Sequence, residues 1–270
     1  MLNWQPLPFG RLCEGSELLS SDPDILSIFF SVAQEREFQI TNSPFKISVD
    51  TLIVGHTNLT PFKTFAGDKK FEGLHRRFYV IPWPYALRIK DELALYKKLI
   101  ERESDFTALQ TCHIAPGALE LAATFAVMTR LVKSQKGVGL LTKAKVYNGD
   151  TLLVELDDKD TRPRDLDELI EEGQAPADLA LKEGMFGVDP RDVLAALSTA
   201  IIQESHDSKC LTPLSAIEAL REVFKGQHRM GYSPEQIEGF LSLLSAGETE
   251  SVITERNEWV LRIVGKSFLS

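Results

Sequence analysis

In Val49-Asp50-Thr51-Leu52-Ile53-Val54-Gly55-His56-Thr57-Asn58 a short apolar run, Leu52-Ile53-Val54, passes directly into small and polar residues. Such a run, rich in β-branched side chains, predicts a buried strand. Gly55–Asn58 then lies at its carboxyl end, where open α/β sheets place their ligand contacts. Just upstream, Phe38–Ile40 and Phe45–Val54 flank the turn-rich Thr41-Asn42-Ser43-Pro44, which predicts a β-hairpin whose second arm ends in this strand. Asp22-Pro23-Asp24 starts a helix through about Glu37, with Asp22 as N-cap and Pro23 at the first helical position. Ile25, Ile28, Phe29, Val32 and Ala33 form its apolar face. Met1–Gly15, punctuated by Pro6, Pro8 and Gly10, reads as irregular. With no strand upstream, Leu52–Val54 is expected to be an exposed sheet edge, prone to pair with another chain.

Downstream, Phe78–Ile81 reads as a short strand closed by Pro82-Trp83-Pro84, and from Tyr85 the chain becomes mainly helical. Helices are expected over Leu87–Glu101 and Pro116–Val132, the second with apolar Leu119, Ala122, Ala123, Ala126 and Val127. Gly137–Asp165 reads as loop-rich. Within it Asp157-Asp158-Lys159-Asp160 is a solvated stretch, lacking the spaced oxygen ligands and turn glycine of a divalent-ion loop. Leu166–Gly173 is short and acidic, and Ala177–Gly184 suggests a further turn of helix. Asp189-Pro190, Thr212-Pro213 and Ser233-Pro234 repeat one helix-start chemistry, predicting helices Arg191–Gln203, Leu214–Lys225 and Glu235–Ser245. Val252–Phe268 is amphipathic. The fold class is therefore α/β turning to mainly α.

Composition narrows the function. The 270 residues are 43% hydrophobic and 26% charged, ordinary for a globular chain. Thirty basic against thirty-nine acidic residues leave a net charge of −9, which argues against non-specific binding to nucleic acid or to an anionic membrane. No apolar run approaches the roughly 18–20 residues of a membrane span, and Met1–Arg11 lacks the pattern of a secretory signal. Cys13, Cys112 and Cys210 are odd in number and far apart, excluding a disulfide framework or a CxxC metal clip. A cytoplasmic setting is the expectation. His56, His75, His113, His206 and His228 show no metal-ligand spacing and read as structural or exposed, so no metal site is expected from protein ligands alone.

Several short motifs stand in one order: Glu17, the helix, the hairpin, the strand ending at Asn58, and the pair Arg76-Arg77 before a strand. This order resembles the second half of an AAA+ nucleotide-hydrolysing core. Gln34-Glu35-Arg36-Glu37-Phe38 is similar to the helix-to-hairpin signature of its bacterial enhancer-binding branch, Val49–Asn58 to the strand ending in a sensor asparagine, and Leu74-His75-Arg76-Arg77-Phe78 to the stretch bearing a finger arginine. The resemblance implies roles that phosphoryl-transfer chemistry explains. Glu17, at the Walker B glutamate position, would polarise the attacking water, and Asn58 would orient it. Arg77, with Arg76 second, would spread the transition-state charge, reaching a neighbouring subunit's nucleotide. Gly187-Val188-Asp189-Pro190-Arg191 resembles a sensor-2 motif, placing Arg191 with Arg76 as nucleotide-binding residues. Each residue also has a plainer reading: Glu17 as a surface carboxylate, Asn58 as a turn cap, Arg77 as half of a surface ion pair, and Arg191 as a first-turn helix arginine.

A narrower resemblance spans nearly the whole chain. Gly55–Asn58, Phe78–Arg88, His113–Leu131, Leu141–Asp150, Glu183–Leu197 and Cys210–Glu222 are similar to the PrkA-type bacterial serine protein kinases, whose AAA+ module leads into a helical kinase-like region. The resemblance implies ATP-dependent phosphorylation of protein serine, with ATP and Mg²⁺ as cofactors and a homo-oligomer as the assembly. It implies a partial AAA+ core over 1–84, a helical lid with the sensor-2 region over 85–203, and the start of the kinase-like region over 204–270. Two departures stand out. Ser16 occupies the Walker B aspartate position, and no GxxxxGK[ST] occurs in the 270 residues, so the backbone cradle and lysine for the β- and γ-phosphates are missing. The expectation is a piece lacking its P-loop half and inactive alone. An alternative is a non-catalytic remnant that docks onto an AAA+ chain carrying the P-loop. Another is a fragment of a DNA-bound activator of the enhancer-binding branch, though its GAFTGA loop and a basic helix-turn-helix are absent. Eukaryotic kinase motifs are missing as well; His75-Arg76-Arg77 lacks the aspartate base and the asparagine that follow HRD.

Overall fold

Leu18 explains why two glycines face each other in the first part of the fold. Its side chain lies over Gly15 and Gly55, where an added Cβ at Gly55 would stand 2.5 Å from the Leu18 Cδ2. The computed structural model in which this is seen describes residues 11–21, 23–39, 43–71, 78–102, 112–150, 166–206, 209–226, 231–245 and 251–252. The chain divides into two units, Met1–Pro82 and Trp83–Ser270.

The first unit runs β1 (Arg11–Ser16), α1 (Pro23–Glu35), β2 (Glu37–Gln39), β3 (Lys46–Ser48), β4 (Thr51–His56) and α2 (Leu59–Gly67). β1 and β4 pair in parallel, Arg11 opposite Thr51 through Ser16 opposite His56. β2 and β3 form a separate antiparallel hairpin, Phe38 opposite Ile47. Successive strand residues point to opposite faces. Cys13 and Ile53 therefore meet Leu18, Leu26 and Phe29 on one face, while Leu12, Leu52 and Val54 stand exposed.

Four expectations change here. The stretch read as irregular contains β1: its proline and glycine punctuation stops at Gly10, and a parallel partner completes a strand that its own composition barely announces. Phe45–Val54 is not one arm, because the chain breaks at Val49 and Asp50. The Val49 amide turns back to the Arg36 carbonyl at 2.7 Å, and Arg36 itself has φ of 53°. Leu52-Ile53-Val54 is paired on β1 instead of free, yet it is not buried: Leu52 is 67% exposed. Phe78–Ile81 forms no strand. Asp22, as the proposed N-cap, lies outside the described residues, although the helix does begin at Pro23.

The second unit runs α3 (Ile89–Arg102), β5 (His113–Ile114), α4 (Ala118–Arg130), α5 (Leu140–Asn148), α6 (Leu166–Gln174), α7 (Pro190–His206), β6 (Cys210–Leu211), α8 (Pro213–Lys225) and α9 (Pro234–Leu243). α4 is its axis. Its sequence is apolar on nearly every side and rich in alanine, so neighbours approach closely from all round; from Leu121 to Arg130 every residue is buried. α3, α5 and α8 pack on it, and α7 packs on α8. Phe125 of α4 meets Phe224 and Phe240 at ring separations of 5.6 and 6.5 Å. The helix starts at Thr212 and Ser233 are capping boxes closed by Ser215 and Gln236. α5 was not expected, since Gly137–Asp165 reads as loop. The helix ends at Gly149, whose left-handed backbone lets its amide reach the Lys145 and Val146 carbonyls. Residues 151–165, with the acidic run at 157–160, lie outside the described residues. Ala177–Gly184 holds only a 3₁₀ turn, Leu179–Leu181.

Two buried ion pairs tie these helices together. All five N–H donors of Arg130 are used: Nη1 and Nη2 reach the Glu92 carboxylate at 2.7 and 2.8 Å, and the remaining contacts go to the Ala86 and Val188 carbonyls. Lys143 meets Glu183 at 2.5 Å. The Glu183 carboxylate also accepts from the Tyr147 hydroxyl at 2.7 Å and the Val132 amide at 2.8 Å. Burial, first, and then the Glu183 contact raise the Tyr147 pKa, which keeps that hydroxyl a donor. Gly187 makes the Val188 turn possible: its φ is +98°, and a Cβ would lie 2.6 Å from the Thr129 carbonyl oxygen. Gly187→Ala is therefore expected to cost about 2 kcal/mol or more, read as a lowered midpoint in thermal or urea unfolding. An unchanged midpoint would show that the turn relaxes freely.

Candidate functional site at the strand ends

β1 ends at Ser16, and the chain turns sharply at Glu17, which takes the left-handed conformation with φ 51° and ψ 39°. A 3₁₀ turn follows, closed by the Ser20 amide on the Glu17 carbonyl at 2.9 Å. Leu18, seated over the two glycines, pins that turn to the sheet. On the neighbouring strand the chain leaves β4 at His56 and reaches Asn58, the first residue before α2. Because Ser16 and His56 are opposite each other, Glu17 and Asn58 emerge side by side. The Asn58 Nδ2 donates to the Glu17 Oε1 at 3.2 Å. Asn58 begins α2 with its backbone, its carbonyl accepting from Phe62, while its side chain makes no capping bond.

One step back along both strands, the Ser16 Oγ and His56 Nε2 are 3.0 Å apart. The His56 Nδ1 lies 4.0 Å from the Glu14 carboxylate. By its spacing in the sequence His56 reads as structural or exposed. It is exposed, but it is also the partner of Ser16, and only the strand register reveals this. Arg76 and Arg77 lie outside the described residues.

Arg191 belongs to the second unit, at the second residue of α7. Asp189 precedes the helix and its Oδ1 accepts the Arg191 amide at 2.7 Å. The Tyr85 hydroxyl donates to the Asp189 Oδ2 at 3.1 Å. The Tyr232 hydroxyl accepts the Asp189 amide at 2.9 Å and donates to Asp192 at 2.8 Å. Tyr232 thus stands inside what would otherwise be a direct N-terminal capping contact between Asp189 and Asp192. Burial is the main cause of a raised Asp192 pKa, which the Tyr232 hydrogen bond opposes. The Arg191 side chain itself is exposed. Among the described residues the ion pairs of this unit involve other cations, not Arg191.

For the nucleotide and metal that the AAA+ resemblance implies, the donor set fits only in part. A carboxylate and an amide side by side suit the water-activating side of a phosphoryl group. The neutral Ser16 hydroxyl offers Mg²⁺ no charge, and among the described residues no three His, Cys, Asp or Glu side chains are grouped to hold a metal.

The model of the PrkA AAA domain matches residues 10–138, and that of the PrkA serine protein kinase C-terminal domain matches residues 141–262. The chain belongs to the PrkA family. Among curated PrkA-family relatives, the ATP-dependent protease PrkA of Bacillus subtilis is 33% identical over 246 residues, 88% of this chain and 34% of that protein. The serine/threonine kinase YeaG of Escherichia coli K12 is 26% identical over 243 residues, 87% of this chain and 35% of that protein. The chain thus spans about a third of the length of these relatives. The crystal structure of NtrX from Brucella abortus in complex with ATP aligns with 86% of this chain and 48% of its own, at a TM-score of 0.32 and 16% identity. The AAA+ fold class of this PrkA-family chain, α/β giving way to helices, stands on the family match and the observed topology. No helix among the described residues is long and apolar enough to cross a membrane.

Proposed function

We propose that this chain supplies the water-activating and lid elements of a PrkA-type AAA+ ATPase, whose complete form phosphorylates protein serine in the cytoplasm. The Glu17–Asn58 pair carries the reading. The amide holds one carboxylate oxygen, which leaves the other free to accept a proton from a water molecule and fixes the direction in which that water is presented. The left-handed turn at Glu17 makes the pair depend on both strands at once, since Asn58 reaches it only across the β1–β4 register.

Arg77 is assigned as the finger arginine, with Arg76 beside it, and Arg191 as the lid arginine that reaches phosphate. The exposed, uncommitted guanidinium of Arg191 supports its part. The assignment divides the chain into a partial core over 1–84, a lid over 85–203 and the start of the kinase-like region over 204–270. ATP and Mg²⁺ need a phosphate cradle from a P-loop, and none is present in the 270 residues. The chain alone is therefore expected to hydrolyse nothing. Activity calls for a P-loop half, within a homo-oligomer or from a paired AAA+ chain. The name of the Escherichia coli relative supports protein-serine transfer as the reaction of the whole.

The test is hydrolysis after restoring the missing half, by fusing the P-loop segment of an intact relative ahead of Met1. Glu17→Gln should then lose roughly 10²–10⁴ in turnover while retaining ATP binding, and Asn58→Ala should lose less. Turnover untouched by Glu17→Gln would remove the assignment.

A further inference from the structure

The Arg191 side chain is exposed, yet the backbone that carries it is held from three sides. Val188 is tied to α4: its amide donates to the Thr129 hydroxyl at 3.0 Å, and its carbonyl accepts from the Arg130 guanidinium at 2.9 Å. Asp189 takes the Tyr85 hydroxyl on Oδ2 and the Arg191 amide on Oδ1. The Tyr232 hydroxyl completes the set, accepting the Asp189 amide and donating to Asp192. One hydroxyl thus binds α7 on both sides of Arg191 in the sequence, at the residue ahead of the helix and at the residue after the arginine.

Tyr232 does not simply follow α7. Its ring centroid lies 6.3 Å from that of Phe224 and 5.4 Å from that of Phe240, and those two rings stand 5.5 Å apart. Phe125 of α4 meets both. Edge-to-face contacts of this kind fix the tilt of a ring as well as its place, so the hydroxyl is delivered at a point set by α4, α8 and α9. Burial, first, raises the Tyr232 pKa, which keeps the hydroxyl a donor towards Asp192. Without that hydroxyl, Asp192 at the third helical position would be left to cap the Asp189 amide directly, as a capping box does. The start of α7 would then be set locally and no longer by the aromatic core. An arginine gains from a phosphate only what remains after its own ordering has been offset, and a helix start already fixed removes the backbone share of that cost.

We infer that Tyr232 is a positioning residue for Arg191. It acts through Asp189 and Asp192, setting the first turn of α7 in the orientation from which the guanidinium meets the phosphates of ATP. This rests on the reading of Arg191 as the lid arginine that reaches phosphate.

Tyr232→Phe keeps the ring and removes both hydrogen bonds. In the whole 270-residue chain, amide hydrogen exchange should quicken at Asp189, Arg191 and Asp192 while α8 exchanges as before. Unchanged exchange at the start of α7 overturns the inference, and so does a quickening spread evenly over the second unit, which marks lost stability alone. In the enzyme fused to an intact relative's P-loop segment, Tyr232→Phe should raise the KM for ATP roughly tenfold and leave kcat within about twofold. In an Arg191→Ala background the same change should add nothing, because both act through one group. Equal losses in the two backgrounds show a merely structural contact and overturn the inference. A normal KM in Tyr232→Phe, where Arg191→Ala alone raises it, also overturns it and leaves Arg191 in place. A normal KM in Arg191→Ala removes the reading of Arg191 and the inference with it. Asp192→Glu added to Tyr232→Phe supplies a longer side chain that caps the Asp189 amide directly, and should recover part of the affinity. No recovery would show that the tyrosine does not act through the helix start, and overturns the inference too.

Discussion

Glu92→Gln lowers the stability of the second unit by about 3–5 kcal/mol, because it strands the Arg130 guanidinium as an unpaired charge in the core. Both side chains are buried, at 0% and 1% exposure, so water cannot solvate the cation once its partner is neutral. For a unit of this size the loss corresponds to a fall of roughly 10 °C in the melting midpoint. Replacing both partners, as in Arg130→Met with Glu92→Leu, should recover part of the loss, since buried pairs exchanged together for apolar groups are often neutral. Recovery stays incomplete here, because Arg130 also satisfies the Ala86 and Val188 carbonyls, and methionine donates to neither. Denaturant unfolding of the three variants checks the order. A single Glu92→Gln within about 1 kcal/mol of the parent would mean that the pair is solvated in solution.

This pair and the Lys143–Glu183 pair draw residues from stretches that carry the family likeness. His113–Leu131, Leu141–Asp150 and Glu183–Leu197 contribute Arg130, Lys143 with Tyr147, and Glu183 with Val188 to the two buried networks. In each of them a buried charge or its partner holds neighbouring elements of the second unit together.

Legibility in the sequence was uneven. The helices beginning at Asp189, Thr212 and Ser233 could be read because N-capping is local: the cap, the proline and the third helical residue all lie within one turn. β1 could not, since six residues with little apolar alternation become a strand only by pairing with residues forty positions away. α5 was hidden by the glycines around it, one of which proves to be its stop signal. At the candidate site Glu17 and Asn58 were found by motif order, and the bond between them is a consequence of register. His56 was missed for that reason. A histidine opposite a serine on a parallel strand leaves no local trace, and its role becomes visible once β1 and β4 are aligned.

The larger effect is expected at Arg77. In an assembly whose sites form between subunits, a finger arginine spreads the charge of the transferring phosphoryl, and its loss costs roughly 10³–10⁵ in rate. With the P-loop half restored, Arg77→Ala should abolish hydrolysis with nucleotide binding near normal, and Arg76→Ala should be milder. Mixing decides whether the arginine acts across an interface. Arg77→Ala subunits retain Glu17, and Glu17→Gln subunits retain Arg77, so one kind of mixed interface pairs an intact carboxylate with an intact guanidinium. Part of the rate should return in the mixture although neither variant works alone. If the arginine served its own subunit's nucleotide, every subunit would lack one of the two groups and mixing would restore nothing. If Arg77 were half of a surface ion pair, Arg77→Ala would change stability by at most about 1 kcal/mol and leave turnover intact. Loss of activity in Arg76→Ala instead of Arg77→Ala would move the finger by one residue, which the arginine pair permits and the measurement resolves.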